Sequence, residues 1–377
     1  MQTKRFGLCA ALSAAALLLL AGCAGSGSTA APTLTVESSY PLQYAKQFTV
    51  DECTGGYELI TIADSQYLVV PQGAAVPEDL PQGTTVLQQP IENIYLVSTS
   101  AMDPIISLGA LDSIALSGTK ADGWYLPEAK AAMQAGQIAY AGKYNAPDYE
   151  TILASGCGLA IENTMIYHTP EVKEQLEKFG IPVLVERSSY ETDPLARMEW
   201  VKLYGILLGK KQEAEQLFDT QVQRVAPLEN QQPTGKSVAF FSITSNNLVT
   251  VRKGSDYVAR MIEMAGGSYV FDDLTDSGNN LATINLSLED FYAGAKDADV
   301  LLYNSTIEGS IASTEQLVEK CPLLAQFKAV QNGNVWCTAQ SLFQQSMELP
   351  DLILDMNRVF TEGTPADSEL TFLTHVE

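Results

Sequence analysis

Histidine is almost missing from this chain: of 377 residues only His168 and His375 carry an imidazole. Two histidines cannot complete the several-histidine shell that a bare zinc or manganese ion needs, which argues against direct metal capture. Positive charge is scarce too, with 22 Lys and Arg against 45 Asp and Glu, a balance of −23. That field repels nucleic acid and anionic lipid, and an anionic ligand would need a local basic spot. No CxxC pair occurs, which argues against a structural zinc site. There is no GxSxG elbow, HExxH, P-loop or GxGxxG. Carboxylate pairs are too common in so acidic a chain to indicate catalysis, and a surface hydrolase stays only as a rival reading. Beyond residue 20, no apolar run approaches the length of a membrane-spanning helix.

The N-terminus is where specific signals begin. Lys4 and Arg5 precede an uncharged Ala/Leu stretch from Phe6 to Leu20, too short to span a bilayer comfortably and ending in small residues. It reads as a signal peptide over residues 1–22. Leu20-Ala21-Gly22-Cys23 matches the lipobox of lipoproteins, so Cys23 is the expected lipidation site. Residues 23–39 then form the expected lipidated tether, which opens with an uncharged Gly/Ser/Ala/Thr run. Loss of Lys4 and Arg5, with no acid, takes the balance to about −25. The remaining 355 or so residues suit two domains.

Four cysteines remain after Cys9 and Cys23: Cys53, Cys157, Cys321 and Cys337. Cys321 opens a predicted helix and Cys337 ends the strand after it, which places both at one sheet edge. A Cys321–Cys337 disulfide and free thiols are both open.

Alternating patterns predict a leading hairpin, Tyr57–Ile62 and Gln66–Val70, turned at Asp64-Ser65. Strand candidates follow at 94–97, 113–116, 136–139, 158–161 and 182–185. Helical patterns lie between them at 101–108, 126–135, 149–154 and 170–179. Such alternation means a mostly parallel sheet covered on both faces. Asp193-Pro194 is an N-cap followed by proline at the first helical position, opening a helix that Gly209 stops. A second helix runs from Lys211 to about Leu228, roughly 27 Å at the standard rise. The alternation then restarts, with strands at 238–243, 268–271, 300–303 and 334–337 and helices at 256–265, 287–294, 313–319, 322–330 and 349–360. The fold expected is α/β: two Rossmann-like lobes joined by a single long helix, with a ligand cleft between them. The bounds are 40–210 for the first lobe, 211–230 for the linking helix and 231–377 for the second lobe. Asp148–Ala154 and Ser287–Ala293 echo each other, each a short helix before a strand.

The lipobox, the two lobes, the crossover and the run DPLARMEWVKLYGILLGKKQEAEQLF resemble the ABC-importer binding proteins for iron-siderophores, haem and cobalamin. So do AGKYNAPDYETILASGCGLAIE, VRKGSDYVARMIEMAGGSYVF and LLAQFKAVQNGNVWC. The segment Ser98–Asp103 is less typical of siderophore receptors. The resemblance implies a non-enzymatic, lipid-anchored, monomeric receptor outside the cytoplasmic membrane. It would hold no intrinsic cofactor, take a chelated iron or cobalt complex or a macrocycle, and deliver it to an ABC permease dimer with its ATPases. It also implies that Glu150 and Glu289 dock in basic pockets of the permease, although either could equally be a helix-first-turn carboxylate favoured by the dipole. A scavenger not tied to a transporter is the alternative.

In open α/β sheets, sites form at the carboxyl ends of strands. On those loops, Thr99, Ser100, Trp124, Tyr144, Arg187, Tyr190, Arg252, Trp336 and Gln340 are the candidate ligand-binding residues. The aromatics offer flat apolar faces, and the arginines could clamp an anionic group. Each aromatic could instead pack in the core, and each arginine could be solvated. His168 could bind haem axially or simply be a solvated loop residue.

Overall fold

The computed structural model describes residues 33–275 and 282–377; the predicted leader and Cys23 lie outside the described residues. Three main sheets and a helix hairpin make up the fold.

The predicted hairpin is the middle of a larger sheet. Strands β3 (Tyr57–Ile62) and β4 (Ser65–Val70) pair as expected, and β1 (Val36–Ser39), β2 (Phe48–Cys53) and β5 (Thr85–Gln88) extend them in the order β1-β2-β3-β4-β5. Alternation sends Phe48, Val50, Ile60, Ile62 and Tyr67 into the main core. The opposite face keeps Cys53, Tyr57, Leu59, Leu68 and Val70, covered by Leu34, Ala74 and Leu80.

The second sheet is wholly parallel, in the order β12-β11-β6-β7-β8. Its strands are β6 (Ile94–Leu96), β7 (Ile114–Ser117), β8 (Ala139–Tyr140), β11 (Ala160–Glu162) and β12 (Val183–Val185). A small ribbon, β9 (Gly142–Lys143) with β10 (Ala146–Pro147), sits at its end. Helices α1 (Met102–Ser107), α2 (Pro127–Gln134), α3 (Tyr149–Ala154) and α4 (Pro170–Lys178) connect the strands.

The third sheet runs β16-β14-β13-β17-β18-β19, with β15 also on β13. These are β13 (Ser237–Ile243), β14 (Val249–Arg252), β15 (Ser268–Tyr269), β16 (Thr283–Leu286), β17 (Val300–Tyr303), β18 (Val335–Thr338) and β19 (Leu373–His375). Its helices are α7 (Tyr257–Met264), α8 (Leu288–Ala295), α9 (Ser305–Glu308), α10 (Thr314–Lys320), α11 (Lys328–Gln331) and α12 (Leu349–Glu362).

Between these sheets the chain passes through α5 (Pro194–Leu207) and α6 (Lys211–Val225). The chain crosses through α6, which ends at Val225 and passes into a 3-10 turn at Ala226–Leu228 where one helix was expected to run on to Leu228, and α5 lies against it as the other arm of a hairpin. Gly205 permits that approach, because a Cβ there would come 2.4 Å from the Ala214 Cβ and 2.8 Å from the Lys210 carbonyl oxygen. Every residue of α5 is buried. At one end, Lys211 binds Glu52 at 2.5 Å and Glu58 at 2.6 Å on the first sheet. At the other, Arg224 binds Asp351 of α12. One apolar core runs continuously from the first sheet through the hairpin to the third.

Among the described residues no helix is long and apolar enough to cross a membrane. Cys53, Cys157, Cys321 and Cys337 are all unpaired. The Cys321–Cys337 bridge considered from the sequence is therefore not formed. Cys321 caps the C-terminus of α10, while the Cys337 thiol turns to the Thr338 carbonyl.

Candidate functional site

Parallel strands deliver their carboxyl ends to one edge, and in the second sheet that edge encloses a cavity of about 390 Å³. Val97 and Thr99 reach it from the end of β6, and Gly118, Thr119 and Lys120 from the end of β7. Tyr140, Lys143 and Tyr144 close another side, and Asn163 enters from the end of β11.

Local hydrogen bonding fixes these loops. Glu186, 2% exposed, follows β12 and accepts from the Ser98 and Ser100 hydroxyls, each at 3.0 Å, and from the Ser188 amide at 2.8 Å. One carboxylate thus ties the loop after β6 to the loop after β12. The Ser117 hydroxyl donates to the Thr119 carbonyl at 2.7 Å and accepts from the Thr119 amide and the Trp124 indole. Gly142, at φ +88°, is required where the ribbon closes, since a Cβ there would meet the Ala146 carbonyl at 2.2 Å.

Two cations line the cavity. The Lys120 ammonium lies 5.6 Å from the Tyr140 ring centroid, and Lys143 is exposed beside it. Neither forms an ion pair among the described residues. In a chain of charge −23 this is a local basic spot. Apolar side chains stand in solvent on the same edges of both lobes. Tyr140 is 37% and Met165 45% exposed in the first, and Leu248 39% and Ile307 69% in the second. Exposed apolar side chains on the edge that carries a charged pocket suit a ligand with an apolar body and anionic substituents.

The second lobe is tied to the loops of this site. The Gln344 amide donates to the Gly123 carbonyl at 2.9 Å, the Tyr125 amide to Gln344 Oε1 at 2.8 Å, and the Ser346 hydroxyl to the Ser100 carbonyl at 3.0 Å.

Of the candidates read from the sequence, Thr99 and Tyr144 line the cavity, and Ser100 buttresses it through Glu186. Gln340 is half-buried near Gly309, on the second lobe. Arg187 stacks on Tyr190, 4.5 Å from its centroid, and donates to Gln47. Arg252 is largely buried between Asp256, 3.6 Å away, and the Phe343 ring. Two candidates are corrected. Trp124, 1% exposed, spends its indole N–H on Ser117. Trp336, fully buried in β18, packs on His375 and bonds Asn334. Both are core residues, because strand ends bury large rings as readily as they present them. His168 is exposed on the turn before α4. Lys120, Lys143 and Tyr140 escaped the residue-by-residue reading. The signal available was a lysine on each of the two loops that supplied the candidates Trp124 and Tyr144.

Glu150 and Glu289 are both exposed, each in the first turn of its helix. Asp148 caps α3 through the Thr151 amide, and Ser287 caps α8 through the Asp290 amide. Helices that lead into parallel strands run against them, so both glutamates lie at the carboxyl edges of their sheets, on the side of the cleft.

This architecture defines a two-lobed binding protein with its pocket at the strand ends. Residues 96–341 match the family described as periplasmic binding protein, and the chain belongs to it. The match begins in β6 and ends just past β18, leaving the β1–β5 sheet outside it. An uncharacterised lipoprotein of Methanocaldococcus jannaschii is 27% identical over 241 residues, which is 62% of this chain and 55% of that one. The chain spans about half the length of the curated relatives it matches. The fold is shared with the periplasmic haem-binding protein of Vibrio cholerae, at TM-score 0.58 and 18% identity, over 73% of this chain and 99% of that one. It is also shared with an Fe3+-hydroxamate ABC-type transport protein of Saccharomonospora viridis, at TM-score 0.55 and 22% identity, over 72% and 94%.

Proposed function

We propose that this protein is the substrate receptor of an ABC importer, lipid-anchored through Cys23 on the outer face of the cytoplasmic membrane. It captures a chelated metal or macrocycle, of the iron-siderophore, haem or cobalamin class, and passes it to a permease dimer driven by ATPases. It acts as a monomer whose lobes, 40–210 and 231–377, flank the crossover at 211–230. The observation that carries this reading is the basic cavity at the strand ends of a chain otherwise strongly acidic. Lys120 and Lys143 neutralise carboxylate or catecholate groups, Tyr140 and Tyr144 lie against the ligand body, and the exposed apolar side chains cover the rest. The chelator supplies the metal's own ligands. The family match and the shared fold support the receptor role, and the lipoprotein relative supports the anchor.

The test is titration of the purified chain with haemin, a ferric hydroxamate, a ferric catecholate and cobalamin, read by visible absorption. One of these saturates at a 1:1 ratio. Replacing both Lys120 and Lys143 by alanine weakens an anionic ligand by about a hundredfold or more, since each of the two charge-assisted contacts contributes on the order of 1.5–3 kcal/mol. No saturable binding of any of the four, or an unchanged affinity in the double variant, would defeat the proposal.

A further inference from the structure

Among the contacts where the lobes touch, one brings two buried acids to the boundary. Asp103, in the first turn of α1, is 4% exposed and belongs to the first lobe. Its Oδ2 accepts from the Met347 amide, in the second lobe, at 2.7 Å. The next residue, Glu348, is the N-cap of α12, and its Oε2 is buried with no hydrogen-bond partner among the described residues. Two ionised carboxylates packed together away from water repel strongly, with little solvent to screen them.

The surrounding charges do not cancel this. Glu128 on α2 and Asp351 on α12 add negative potential. Arg224 on α6 acts on Glu348, but it is already engaged by Asp351. On α5, which packs against α1, Arg197 lies on the Tyr257 ring and Lys202 pairs with Glu199 at 2.7 Å. Asp112, after α1, is exposed.

We propose that Asp103 and Glu348 share one proton across the lobe boundary, and that this proton fastens a latch between the lobes. The proton resides on Asp103, which donates to the Glu348 carboxylate while its other oxygen holds the Met347 amide. Burial, followed by the charge of Glu348, drives the Asp103 carboxyl well above the usual range. Burial also raises Glu348, while its hydrogen bond with Asp103 pulls the other way. The sign follows from linkage. The latched form binds a proton that the open form releases, so latching is complete in acid and is lost as pH rises through the raised Asp103 value. This reading concerns lobe geometry and does not depend on the ligand.

Hydrogen exchange of the Met347 amide in the ligand-free chain tests it, with the intrinsic pH dependence of exchange removed. In the native sequence the local opening constant rises about tenfold per pH unit through the titration, the signature of one proton released on opening. Asp103→Asn keeps an acceptor for Met347 and a donor for Glu348 but has no proton to lose, so its opening constant stays flat. Equal slopes in the two proteins, or a flat native profile, overturn the proposal. Glu348→Gln gives a second reading. Removing the neighbouring charge moves the titration to lower pH, and an unmoved midpoint counts against the latch.

Discussion

Glu162 ends β11 with a side chain that is fully buried, and neither carboxylate oxygen has a hydrogen-bond partner among the described residues. Strand alternation puts it on the face of Ala160, in the apolar layer of Tyr95, Val97 and Val185 under α3 and α4. Burial alone pushes its pKa up to about 8. The folded chain therefore keeps a proton that the unfolded chain gives up near the ordinary carboxyl value. Stability from this group is full in acid and declines as pH rises towards about 8. Glu162→Gln removes that decline, so its melting temperature should exceed that of the native chain at pH 8 by more than at pH 5. A parallel pair of melting curves across that range would show the acid to be solvated. At this scale the sequence is a partial guide. Residue type and loop position located Thr99 and Tyr144 on the cavity wall. They could not tell Trp124 or Trp336 from a ligand-facing ring, because burial depends on what packs from elsewhere in the chain. The buried acids Asp103, Glu162 and Glu186 were equally hidden, since nothing in their neighbours' identities marks them as interior.

Periodicity made most of the parallel strands and their helices legible, as with Tyr149–Ala154, but the strand expected at 136–139 is Ala139–Tyr140, and the helix expected at 322–330 is a 3-10 turn at Pro322–Gln326 followed by α11. It missed β1, whose four residues are all exposed, β5 and the short β9–β10 ribbon, and β14, β16 and β19, which join the third sheet by antiparallel pairing. Edge strands such as β1 and β16 lack the apolar alternation that a half-buried sheet imposes, β14 alternates but over only four residues, and a partner such as β19 for β18 arrives only after a long helical excursion. The role of the segment before β2 was also illegible. There, two acids, Glu191 just before α5 and Glu199 within it, collect the backbone of residues 43–47. Glu199 accepts from the Gln43, Tyr44 and Ala45 amides at 2.7–2.8 Å, and Glu191 from the Lys46 and Gln47 amides at 2.9–3.1 Å. Glu199 is fully buried and also holds Lys202. This strap binds the added first sheet to the crossover hairpin, and Gln47 carries it on to Arg187. Glu199→Ala would leave three amides and a buried ammonium unpaired, at a cost of about 3–5 kcal/mol. Urea denaturation should show it as a lower midpoint with an unchanged slope. A loss below ~1 kcal/mol would mean that the strap is held by other contacts.

At the scale of the molecule, the crossover determines how the lobes can move. Bending α5 or α6 would break helical hydrogen bonds and disturb a core continuous across both lobes, so a small rotation is expected in place of a wide closure. Glu150 and Glu289 ride on the two lobes, exposed and on the cleft side, and the distance between them changes with that rotation. Paired with two arginines of a two-fold permease, they would report lobe geometry to the transporter. Glu150→Ala together with Glu289→Ala should abolish uptake while leaving ligand affinity in solution unchanged, because neither residue lines the cavity. Each single variant should retain part of the activity, one anchor remaining. Because the pairs are charged and solvent-exposed, docking of the native chain on permease in vesicles should weaken as salt rises, and the double variant should lose most of that dependence. If the double variant transports normally, the two carboxylates serve only the first turns of their helices, and the docking surface must be sought elsewhere on the lobe edges.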